Sequence, residues 1–72
     1  MSDIYKHSKT GNLYLILARA KETTNAQSVI IYQALYGDNQ IWVRPTDEFF
    51  SHVNINGETV PRFKNIEIER LP

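Results

Sequence analysis

Short runs of alternating apolar and polar positions, separated by turn-favouring residues, make up most of this chain. A period of two predicts strands rather than helices. The clearest run is Ser28–Tyr36, with Val29, Ile31, Gln33 and Leu35 on one face and Ile30, Tyr32, Ala34 and Tyr36 on the other. β-Branched and aromatic side chains dominate it, and these pack well on a pleated surface. Gly37-Asp38-Asn39 predicts a turn into Gln40–Arg44, which Pro45 ends because it has no N–H to donate.

Ile4–Lys9 reads as a polar strand closed by a turn at Gly11-Asn12, residues that tolerate positive φ. Leu13–Ala20 is apolar on both alternating faces. That predicts a strand covered on both sides, or one whose outer face meets another surface. A helix over residues 13–22 is the competing reading, since leucine and alanine favour helices; the bracketing turns select the strand. Residues 22–27 are polar and unperiodic and predict a loop.

Thr46–Phe50 predicts one helical turn, capped by Thr46, with Asp47 and Glu48 where the helix dipole favours acids. Phe49 or Phe50 then plugs one end of the core. Asn56-Gly57 between His52–Ile55 and Glu58–Val60 is a strong hairpin signal, because both central residues must take positive φ. A last strand is expected at Asn65–Glu69, with isoleucine in and glutamate out. Phe63 falls out of phase with Ile66, which predicts a bend or bulge near Lys64-Asn65.

These elements sum to a mainly β single domain: a small SH3-like barrel of five to six short strands with one single-turn helix. Its predicted core is aromatic and β-branched, and includes Ile31, Ile41 and Val43. A chain of 72 residues buries about 60% of the surface its unfolded form exposes, and 42% hydrophobic residues suffice for one core.

Charge and cysteine content change the functional picture. Eight basic residues balance eight acidic ones, which argues against a strong sequence-blind grip on nucleic acid. With no cysteine there is no disulfide framework or thiolate metal cluster. No signal-peptide pattern opens the chain and no apolar run approaches the roughly 20 residues of a membrane span, so a cytoplasmic protein without a membrane partner is expected.

Tyr5-Lys6-His7, Lys9 to Tyr14, Val29 to Tyr36, Ile41 to Pro45 and Val60 to Phe63 fall in an order that resembles the bacterial domain-of-unknown-function family DUF1653. The likeness runs from about Tyr5 to Ile66, and its most specific part is the tyrosine-rich strand followed by Trp42-Val43-Arg44-Pro45. The resemblance implies an SH3-like barrel and no particular activity. Relatives carry a polar residue where Leu15 stands here, which implies an exposed or interface position for Leu15.

Catalytic chemistry finds little support. His7 and His52 have no ligand spacing with nearby carboxylates, and Ser51-His52 are chain neighbours rather than triad partners. The three isolated glycines build no phosphate-cradling loop. No enzyme, cofactor or metal is expected. Tyr36, Trp42, Arg44, Arg62, His7 and Tyr5 are the candidate binding residues, because tyrosine, tryptophan and arginine are enriched at recognition hot spots. The competing reading buries most of these rings in the core and pairs the arginines with Asp38, Asp47 or Glu48. A non-catalytic module that docks a protein or peptide is the leading expectation, with single-stranded nucleic acid on the same surface as the alternative.

Overall fold

The computed structural model describes residues 3–66. Seven strands and one helical turn follow in order: β1 (Ile4–His7), β2 (Leu13–Lys21), β3 (Ser28–Ala34), β4 (Ile41–Pro45), α1 (Thr46–Phe49), β5 (His52–Ile55), β6 (Glu58–Pro61) and β7 (Phe63–Asn65). The fold is mainly β, with seven strands rather than five or six. They form an antiparallel sheet in the order β4-β3-β2-β1-β7 and a separate β5-β6 hairpin. No helix spans Leu13 to Glu22.

Turn chemistry sets the register. Asn56 and Gly57 take φ of 53° and 83°, so Val53 pairs with Val60 and Asn54 with Thr59 across a two-residue turn. Gly37 and Asn39 are likewise left-handed and carry the chain from β3 into β4. On β2 the pairing slips at Leu17: Ile16 faces Tyr32 while Ala18 faces Ile31. This bulge reverses the parity of the strand beyond it and brings Arg19 over the Phe50 ring, 5.5 Å from its centroid. The bulge expected near Lys64-Asn65 is absent, because both residues pair in step with Lys6 and Tyr5.

The core lies on one face of the large sheet. Ile30 and Phe49 are fully buried, Tyr32 and Phe63 nearly so, and Tyr5, Tyr14 and Ile16 pack around them. The Phe49 and Phe63 rings stack at 4.2 Å with an interplanar angle of 1°, and Tyr5 and Tyr32 meet Phe49 edge-on. Phe49 is therefore the plug; Phe50 is 38% exposed.

Several sequence expectations change. β2 is not covered on both sides: Leu13 and Leu17 are exposed, whereas Leu15, paired with Ile4 and Gln33, is half-buried. Leu17 is displaced by the bulge, which periodicity alone does not reveal. Ile41 and Val43 lie outside the core, 51% and 62% exposed, because they alternate with Trp42, which pairs with core Tyr32, and so point from the opposite sheet face. Ile31 is half-buried. Thr46 does not cap α1. Pro45 occupies the cap position without a side-chain bond, and the Thr46 hydroxyl meets Ser28 Oγ at 2.8 Å. The final strand is Phe63–Asn65; the Glu67, Ile68 and Glu69 expectations lie outside the described residues.

Candidate functional site

Strand register brings five elements to one concavity. His7 pairs with Phe63 across β1 and β7, Tyr5 with Tyr14 across β1 and β2, and Tyr32 with Trp42 across β3 and β4. Their side chains project from one sheet face, and Tyr36 reaches over from the turn beyond β3. The result is a cup of about 210 Å³ walled by His7, Tyr14, Tyr32, Tyr36, Trp42, Arg44 and Phe63.

Hydrogen bonds and ring contacts fix its walls. Tyr14 Oη and Tyr36 Oη are 2.7 Å apart, and Tyr14 meets Tyr32, Tyr36 and Phe63 edge-on at 5.5–5.6 Å. Arg44 Nε donates to Tyr32 Oη at 3.3 Å while its terminal nitrogen pairs with Glu48 Oε1 at 3.1 Å. The same guanidinium lies 5.9 Å from the Phe63 centroid. One arginine thus joins the buried core to the rim, in a planar geometry that lysine does not offer. Trp42 is half exposed and stands at the lip.

The cup holds one neutral phenol at Tyr14 and a cation at Arg44. Burial, and after it the hydrogen bond shared with Tyr36, pushes the Tyr14 phenol up to about 12. Tyr14 is therefore a hydrogen-bonding group at neutral pH rather than a phenolate. The Tyr32 hydroxyl raises the Arg44 pKa above its ordinary value, leaving a permanent positive charge.

His7 is held below its usual value, first by burial and then by the charges of Arg44, Arg62 and Lys9. The unfolded chain, titrating near 6.5, takes up a proton before the folded one does. The His7 contribution is thus fully present above pH 6.5 and is lost as pH falls through 6.5 and then through the folded value. His7→Gln is expected to flatten that part of the stability–pH curve, measured by urea unfolding between pH 5 and 8. Unchanged curvature in the variant would assign the effect to another group.

Of the six residues singled out from sequence, His7, Tyr36, Trp42 and Arg44 meet in the cup. Arg62 is beside it, donating from Nε to Ser51 Oγ at 3.1 Å rather than pairing with an acid, and it lines an adjoining groove with His7 and Lys9. Tyr5 is elsewhere, half-buried against Phe49 and Phe50. For Tyr5 the core reading is correct, and for Arg44 the expected pairing with Glu48 is met. Tyr14, Tyr32 and Phe63 are walls beyond those six residues. The hairpin turn at Gly11, which places Tyr14 next to Tyr5, was the available signal.

A roomier groove of about 420 Å³ runs between β1, β7 and the β5-β6 hairpin. Its walls include Ile55, Val60 and Pro61, with Lys6 and Lys64 directly opposite one another. Size favours this groove, but the cup alone gathers a network of hydrogen-bonded rings with an anchored cation. Among the described residues no three histidine, aspartate or glutamate side chains group to hold a metal ion, and no helix is long and apolar enough to cross a membrane.

Comparison with known proteins agrees with the fold. A DUF1653 protein of Bordetella bronchiseptica, known from its crystal structure, superposes with a TM-score of 0.83 at 23% identity, covering 100% of this chain and 94% of that one. At that identity the likeness speaks for the fold alone. No curated protein matches the chain. The family model for DUF1653, described as a protein of unknown function, matches residues 3–65, and on that match the chain belongs to the DUF1653 family.

Proposed function

We propose that this chain is a non-catalytic binding module that docks a protein or peptide at the cup and its rim. The observation that carries the reading is the arrangement of Trp42 and Tyr36, both about half exposed, around the fixed guanidinium of Arg44. Large rigid rings lose little conformational freedom on binding, and a held arginine gives charge-assisted hydrogen bonds to an acceptor. The neutral Tyr14 phenol and the absence of a polarised nucleophile among the cup's described residues favour recognition over chemistry. A zero net charge weighs against nucleic acid as the ligand.

Trp42 is the single tryptophan of the chain, so its emission reports directly on the rim. Titration with acidic, basic and apolar peptides is expected to shift that emission for the acidic set. Isothermal calorimetry then asks what the residue contributes. Trp42→Ala is expected to weaken binding about 30-fold or more, the equivalent of about 2 kcal/mol at a hot spot. The same change costs the fold about 1–3 kcal/mol, since half of a large side chain is already in water and half is still buried. Peptides that bind the variant as tightly as the native chain would remove the reading. Salt-dependent binding of single-stranded oligonucleotides with no peptide binding would replace it with the nucleic-acid one.

A further inference from the structure

The open edge of the large sheet defines how the partner is held. In an antiparallel pair, residues whose backbone groups face the neighbour alternate with residues whose groups face away. Ala34 N–H donates to Gln40 C=O at 2.8 Å, and Leu35 N–H donates to Leu13 C=O at 2.9 Å on the other side of β3. The alternation then turns the backbone of Trp42 and Arg44 towards β3, and that of Ile41, Val43 and Pro45 outward. The Ile41 carbonyl is met by the Gln40 side chain, Nε2–O 3.2 Å. Pro45, which has no N–H, occupies an outward position where none is needed by the ladder. No strand of the described residues lies beyond β4.

We infer that β4 accepts an extended peptide as an added antiparallel strand, and that this peptide places an acidic side chain over the cup. The inference rests on the docking reading above and supplies its geometry. The Ile41 and Val43 N–H groups and the Val43 and Pro45 carbonyls are the partners for the added backbone. A peptide residue opposite Trp42 projects to the same face as Trp42 and Arg44, with its Cβ about 5 Å from that of Trp42. An acid there lies diagonal to the Arg44 guanidinium. Charge complementarity selects this occupant over a second copy of the chain, whose own β4 would bring Arg44 rather than an acid to that edge. Main-chain bonds give such complexes affinity, and the pocket under alternate side chains gives specificity.

Hydrogen exchange resolves the proposal amide by amide. The probes are blocked pentapeptides of alternating valine and threonine with a central glutamate, the same peptide with glutamine, and versions N-methylated at each position. In the free protein the Ile41 and Val43 amides are expected to exchange fast and the Trp42 and Arg44 amides slowly. Adding the glutamate peptide is expected to slow Ile41 and Val43 about tenfold or more. N-methylation at the residue before the glutamate weakens binding about tenfold or more, since its bond to the Val43 carbonyl is lost. N-methylation of the glutamate itself, whose N–H faces away, is tolerated, and the glutamine peptide binds more weakly.

Binding that shifts Trp42 emission but leaves Ile41 and Val43 exchange unchanged overturns strand addition while the docking reading stands. Protection of those amides in peptide-free protein, reversed by dilution, overturns it in favour of self-pairing through β4. Failure of the acidic, basic and apolar peptides alike to bind overturns both.

Discussion

Phe49→Ala is expected to lower the thermal midpoint by roughly 15–30 °C, the largest effect of any single change to this chain. Phe49 is fully buried at the end of a one-turn helix, stacked on Phe63 and met edge-on by Tyr5, Tyr32 and Phe50. Truncating a buried phenylalanine costs about 3–5 kcal/mol, because the transfer term is lost and the cavity only partly collapses. Native domains have about 5–15 kcal/mol in total, and one of 72 residues sits towards the lower end. Phe50, on the same turn but 38% exposed, is expected to tolerate alanine at less than half that cost. Thermal unfolding followed by far-ultraviolet circular dichroism separates them. Equal losses at the two positions would mean that the core is not centred where the ring stack places it.

The strands and turns were largely legible in the sequence because each is set by local chemistry. Asn56-Gly57 fixes its hairpin through left-handed backbone angles that few other residues adopt, and Gly37 with Asn39 does the same one turn earlier. What local patterning leaves out is the neighbour of each face. Ile41 and Val43 have the composition of core residues, but they sit on the sheet face opposite Tyr32 and Trp42, so they stay wet. Leu17 breaks the alternation of β2 through a bulge that nothing in its own side chain announces. Thr46 is a good capping residue by type, yet its hydroxyl goes to Ser28 on an adjacent strand. In each case a tertiary partner decides between two locally acceptable states.

The cup follows the same division. Trp42 and Arg44 are readable as a pair because they share a strand face, whereas Tyr14 and Phe63 join them only through the β2-β3 and β1-β7 registers. His7 enters by the same route, and Tyr5, two residues away on the same face, is carried past the cup into the core. Strand periodicity gives the face of a residue; register gives its address along the sheet, and register is a long-range property.

Tyr32 tests how tightly core and cup are joined. Its ring is 5% exposed and touches Tyr14, Phe49 and Phe63, while its hydroxyl accepts from Arg44. Tyr32→Ala is expected to destabilise by about 3–5 kcal/mol, close to the Phe49 variant, since a near-buried aromatic ring is removed. Tyr32→Phe keeps the ring and is expected to cost only about 0.5–1.5 kcal/mol, the net value of one hydrogen bond. In that variant Arg44 retains Glu48 but loses its inner anchor, so a folded protein with a loosened guanidinium results. Urea unfolding gives the first number for each variant, and exchange of the Arg44 Nε proton gives the second effect. If Tyr32→Phe unfolds the chain as readily as Tyr32→Ala, the hydroxyl is holding the core rather than the arginine. If it leaves the Nε exchange rate untouched, Glu48 alone orients Arg44 and the inner wall of the cup has no part in presenting that charge.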